Sequence, residues 1–208
     1  RRIGFDTDRR RYLLTHPLEA PPRRRHQVDE YLALLDAFGL PPLEREPTWR
    51  LEPRPAETDR IEGLLASVGL RGKTPLVGIQ LGAAFGPSKL WLTERFAALS
   101  DALAGRGISA VLLGTAREAP LAQRIQAQSR SGVASLVGRD SPELLPGLLA
   151  RLHLLVSGDT GAAHLAAAVR LPVVTLFGPT DPRLTRPLGN GSVAIWKQPS
   201  CSPCFLSR

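Results

Sequence analysis

Methionine is absent from all 208 residues, the first position included, and cysteine occurs twice, as Cys201 and Cys204. A translated chain starts with methionine, so the expectation is a piece of a longer protein. Two cysteines exclude the disulfide framework of a small secreted fold and point to a reducing compartment. The start, Arg1-Arg2-Ile3-Gly4-Phe5-Asp6, has no apolar stretch behind its basic residues, so it is not expected to be a secretory signal peptide. No apolar run approaches the roughly 18 to 20 residues that span a bilayer. A soluble protein is expected.

Lysine is also scarce, three residues among 27 basic ones. The formal charge of +8 is uneven: the first 25 residues hold eight Arg against Asp6, Asp8 and Glu19, a net +5, and the remaining 183 carry +3. The Arg cluster has little aromatic interleaving and no nucleic-acid motif, so it reads as solvated charge, and no nucleic-acid partner is expected.

What is present is an alternation of two kinds of segment. Apolar runs of strand length occur at 76–81, 110–113, 154–157, 173–177 and 193–196, with a weaker one at 134–137. Helical spacing occurs at 26–38, 56–68, 93–104, 117–129, 143–152 and 162–169. Strands without polar alternation, separated by helices, predict a doubly wound α/β domain on a parallel sheet buried on both faces. The stretch from Pro41 to Pro55 holds five prolines and no period, as a connector would. The expected organisation is 1–40, a linker over 41–55, and the main domain over 56–208.

In such sheets ligands bind beyond the C-terminal strand ends, which directs attention to four loops. The first, Gly82 to Trp91, contains Gly86, Ser88 and Lys89 and enters a helix that Thr93 can cap. Its glycines permit backbone approach to a phosphate and Lys89 can supply a cation, yet the spacing is neither Walker A nor G-x-G-x-x-G. Alone it is equally a turn with a solvated lysine. The second, Gly114-Thr115-Ala116-Arg117-Glu118, puts a carboxylate at a helix start, where it holds ribose hydroxyls or merely complements the helix dipole. The third, Ser157-Gly158-Asp159-Thr160-Gly161-Ala162-Ala163-His164, offers a helix N-terminus to an anion, with His164 in the first turn. It also fits an ordinary capped helix with a packed histidine. Asp-Thr-Gly occurs in aspartic proteases, but those need a paired carboxylate and a β scaffold. The fourth, Gly178-Pro179-Thr180-Asp181-Pro182, is a rigid turn able to close over a ligand. Cys201-Ser202-Pro203-Cys204 is half a zinc site or a redox pair, and the two stay open.

Taken together, Gly86-Pro87-Ser88-Lys89-Leu90-Trp91, Leu112-Leu113-Gly114 with Glu118, Ser157 to His164 and Phe177 to Pro182 resemble the second half of the ADP-heptose:lipopolysaccharide heptosyltransferases, glycosyltransferase family nine. The likeness is close over about 70–204, and residues 1–40 resemble the end of the family's N-terminal domain. It implies a two-domain glycosyltransferase of the B-type fold, of which this chain holds a remnant of the acceptor domain and a Rossmann-like donor domain, truncated at both ends. It further implies inverting transfer of L-glycero-D-manno-heptose from ADP-heptose to the lipopolysaccharide core, without cofactor or metal. The setting is cytoplasmic, with peripheral contact at the inner membrane. By motif position, Lys89 meets the donor phosphates, Asp159, Thr160, Gly161 and His164 meet diphosphate and sugar, and Glu118 holds the ribose. Gly86, Ser88, Gly114, Thr115, Gly178, Pro179 and Thr180 line the donor loops. No catalytic residue is expected in this chain, because the family's general base lies near the start of its N-terminal domain. The family's frequent proline after the loop tryptophan is Leu92 here. The alternatives are a UDP-dependent glycosyltransferase or epimerase, or a non-catalytic nucleotide- or nucleic-acid-binding module.

Overall fold

The computed structural model describes residues 1–40, 51–83, 86–139, 141–189 and 191–205. Most of the connector expected over 41–55 therefore lies outside the described residues. The chain divides into a small unit, residues 1–48 with Arg183–Thr185, and a large one comprising 49–182 and 186–208.

In the small unit, β1 (Ile3–Phe5) and β2 (His16–Leu18) pair in parallel. Helix α1 (Gln27–Asp36) follows, with buried His26 as its N-cap; the Val28 N–H donates to His26 Nδ1 at 3.2 Å.

The large unit begins with α2 (Thr58–Ser67) and then alternates strand and helix: β3 (Leu76–Gln80), α3 (Thr93–Ala104), β4 (Ser109–Leu113), α4 (Ala119–Gln128), β5 (Ala134–Ser135), α5 (Leu145–Leu149), β6 (Leu154–Gly158), α6 (Gly161–Ala168) and β7 (Val173–Phe177); after the single turn α7 (Pro182–Thr185), of which Arg183–Thr185 count with the small unit, it closes on β8 (Ser192–Trp196). The six strands of its sheet are all parallel, in the order β5-β4-β3-β6-β7-β8. Side chains alternate across a strand, so a sheet covered on both faces needs two cores. Both are present. Val111 and Leu113 of β4 join Leu76, Leu148, Leu149 and Leu155 on the face covered by α2, α5 and α6. Leu112 joins Ile79, Phe96 and Ile125 under α3 and α4.

Most element ends move by a residue or two from the sequence reading, and three differences have a clear local cause. Only Ala134–Ser135 of the run at 134–137 form a strand; the Leu136 and Gly138 N–H groups still donate to the Leu112 and Gly114 carbonyls at 2.9 and 2.8 Å, but the chain turns at Gly138 (φ 74°), where the Arg139 N–H reaches the Leu136 carbonyl. The helix expected over 143–152 contracts to α5, since Pro146 belongs in a first turn and sets the start. Thr93 is not a cap: it is the first helical residue of α3, and Leu92 occupies the N-cap without a side-chain bond.

Asp101 of α3 holds the turn that follows α4. Its carboxylate accepts from Ser129 Oγ at 2.8 Å and from the N–H groups of Ser131 at 2.9 Å and Arg130 at 3.2 Å. The Ser129 hydroxyl first, then the two N–H groups, keep the carboxyl well below its ordinary value. The native state therefore binds fewer protons than the unfolded chain, so this contribution is complete above an unfolded value of about 3.9 and is lost as pH falls below it. Asp101→Asn should lower the Tm at neutral pH, and the gap to wild type should close on acidification below about pH 4. Thermal melts of both proteins across pH 3 to 7 check this.

Candidate functional site

The strand register brings the C-terminal ends of β3, β4, β6 and β7 to one edge, with Gln80 opposite Leu113 and Gly158 opposite Leu176. Neighbouring strands β3 and β6 lead to helices on opposite faces, and in sheets of this order that switch point is where a ligand crevice forms. Three loops meet there. Gly86, at φ 134°, takes a backbone conformation that suits glycine and starts a tight turn over Pro87–Lys89. Trp91 anchors the far side of that turn by an edge-to-face contact with Phe96, ring centroids 5.2 Å apart.

From this turn Lys89 reaches across to the loop after β6. Its Nζ donates to Asp159 Oδ2 at 2.6 Å and to the Asp159 carbonyl at 3.2 Å. The third loop, after β7, adds Thr180, whose hydroxyl donates to the same Asp159 Oδ2 at 2.8 Å. The pair is nearly enclosed, with side-chain exposures of 12% for Lys89 and 8% for Asp159, and Thr180 is buried. The backbones of the loops lie in contact, at distances that an added methyl group would also tolerate. A Cβ on Gly158 would lie 3.4 Å from the Lys89 carbonyl, and one on Gly178 would lie 3.5 Å from that of Ser88.

Helix α6 begins at this point. Thr160 is its N-cap by position, but its hydroxyl shares a 2.9 Å bond with Ser157 Oγ instead of capping. Gly161 and His164 are exposed in the first turn. Glu118 belongs to a second cluster, at the β3 and β4 ends. Its Oε2 accepts from the Thr115 N–H and hydroxyl, each at 2.7 Å, closing a capping box. The carboxylate lies against Gly82, where a Cβ would come within 2.8 Å of it, and beside buried Gly114.

The tail of the chain buttresses the third loop. Ser202 Oγ, which accepts from Trp196 Nε1, donates to the Gly178 carbonyl. The N–H groups of Cys204 and Phe205 donate to the Pro179 carbonyl at 3.1 and 2.8 Å. Ser202 escapes a sequence reading because its partner lies 24 residues away and a lone serine carries no signal. Cys201 and Cys204 are exposed free thiols, and among the described residues no group of three or more His, Cys, Asp or Glu gathers as a metal site.

Counted within the large unit, the strands lie in the order third, second, first, fourth, fifth, sixth, which defines a Rossmann-like α/β domain with its crevice between first and fourth. The family model for glycosyltransferase family 9 (heptosyltransferase) matches residues 1–208, and the chain belongs to that family. It is 29% identical over 194 residues to lipooligosaccharide heptosyltransferase 2 of Haemophilus influenzae, covering 89% of this chain and 56% of that protein. It is 31% identical over 174 residues to lipopolysaccharide heptosyltransferase 2 of Salmonella typhimurium, covering 81% and 50%. The solved structure of Escherichia coli ADP-heptose lps heptosyltransferase II superposes with a TM-score of 0.76 at 27% identity, covering 93% of this chain and 61% of that one. The chain thus spans about half the length of the curated relatives it matches.

Proposed function

We propose that this chain carries the nucleotide-sugar site of an inverting glycosyltransferase that moves heptose from ADP-L-glycero-D-manno-heptose to the inner core of lipopolysaccharide. The observation that carries the proposal is the convergence of Lys89, Asp159 and Thr180 from three strand ends at the reversal of strand order, within a family of heptosyltransferases. In transfer the bond from the sugar's anomeric carbon to the diphosphate breaks, and negative charge develops on ADP. A fixed ammonium and the N–H groups that open α6 stabilise that charge where it forms, in a crevice sheltered from water. Lys89 takes the diphosphate, Thr160, Gly161 and His164 the diphosphate and sugar, and Glu118 the ribose, across the exposed side of its capping box.

The names of the relatives support heptose as the sugar and lipopolysaccharide as the acceptor, and the Escherichia coli homologue supports ADP as the nucleotide. The same reading places the protein in the cytoplasm, peripheral to the inner membrane through its lipid-linked acceptor. Among the described residues no helix is long and apolar enough to cross a membrane. Titrating the 208-residue chain with ADP and UDP is the direct test. ADP should raise the Tm more than UDP does at equal concentration, and an equal or larger UDP effect would transfer the site to another class of nucleotide sugar.

A further inference from the structure

Lys89, assigned to the diphosphate, is a flexible side chain whose use there depends on how it is held. A lysine has four rotatable bonds and a strongly hydrated head, and holding it in one place costs rotamer entropy at the moment of binding unless the fold has already met that cost. Here the fold itself holds the ammonium. One oxygen of Asp159 accepts from both Lys89 Nζ and Thr180 Oγ1, and the Asp159 carbonyl accepts a second bond from Lys89. Thr180 is 5% exposed and stands on the loop that Ser202, Cys204 and Phe205 pin from behind. An Asp159 carboxylate in this engaged position is an unsuitable contact for a diphosphate, because two anions at hydrogen-bond distance repel.

We infer that Thr180 and Asp159 are positioning residues that act through Lys89: Thr180 orients the carboxylate, and the carboxylate aims the ammonium at the diphosphate. This rests on the assignment of Lys89 to the donor diphosphate. The relay predicts an effect confined to the charged part of the ligand. A merely structural role for Thr180 would disturb the whole site, base and ribose included.

The test is titration of the 208-residue chain with ADP and, separately, with adenosine, which lacks the phosphates. Thr180→Val removes the donated bond at nearly constant volume. It should weaken ADP binding about tenfold and leave adenosine binding unchanged, since a hydrogen bond to a charged group is at stake. Thr180→Ser keeps the hydroxyl and should restore ADP binding to within about twofold of wild type. Parallel losses of ADP and adenosine in Thr180→Val, or no loss of ADP, would overturn the relay. Should Thr180→Val fail to fold, Asp159→Asn replaces it, with the same ADP-selective loss expected and the same results overturning the proposal. A different result marks failure of the underlying reading: wild type that binds ADP no better than adenosine, or Lys89→Ala that binds ADP as wild type does.

Discussion

Lys89→Ala is expected to weaken ADP binding by about a hundredfold, the cost of removing a charge-assisted contact worth about 3 kcal/mol. It should also destabilise the fold. The Asp159 side chain is 8% exposed and faces Lys89 at 2.6 Å, so the variant leaves a carboxylate enclosed without its cation. Breaking a buried pair on one side costs about 3–5 kcal/mol, and the low end applies to this pair at the rim of a crevice. The two effects separate in a second variant. Adding Asp159→Asn to Lys89→Ala removes the uncompensated charge, and the double variant should recover much of the stability and none of the ADP affinity. Urea denaturation and ligand titration of the three proteins check the pattern. Recovery of binding in the double variant would show that Lys89 serves only to neutralise Asp159.

The second large effect lies beneath the site. Gly78 sits in the middle of β3, the strand from which the Lys89 loop departs, and a Cβ there would come within 2.5 Å of Leu152 Cδ1, 3.1 Å of Leu155 Cδ1 and 3.2 Å of Leu113 Cδ1. These leucines belong to one closely packed core. Gly78→Ala should cost about 2 kcal/mol by overpacking, and Gly78→Val more. For a protein of this size the alanine variant should melt about 4–8 °C below wild type. Leu152→Ala, which removes the closest clash, should be less damaging in the Gly78→Ala background than alone. Additive losses in calorimetry would show that the strand shifts as a whole and that Leu152 is not what excludes the methyl group.

The sheet was legible because strands buried on both faces have nowhere to put a polar residue. Leu76 to Ile79 and Ala110 to Leu113 stand out as unbroken apolar runs. The start of α6 was legible because Asp159 and Thr160 precede a run of small helix formers. The capping role of Glu118 is legible too, since Thr115-x-x-Glu118 has capping-box spacing. Other features leave no local trace. Lys89 and Asp159 are 70 residues apart, and nothing in either loop names the other as its partner. The joint use of one Asp159 oxygen by Thr180 and Lys89, and the grip of Ser202 on Gly178, likewise depend on register between strands. The two-residue length of β5 leaves no trace in the sequence, because the residues that follow it, Leu136 and Val137, are no less apolar than Ala134 and Ser135.

The separation of the crevice residues along the chain bears on when binding competence arises during synthesis. When β3 and its lysine turn leave the ribosome, the carboxylate that seats Lys89 is 70 residues from being made, and the serine that braces the Thr180 loop comes later still. Contacts this distant form late, after the loops between them have closed. A chain that ends before Asp159 lacks the seat of Lys89, so nucleotide selects forms in which these strands are in place. At a concentration one hundred times its Kd, nucleotide adds about 2.7 kcal/mol against global unfolding. Protection from proteolysis by ADP thus becomes an assay of whether the last strands have been laid down.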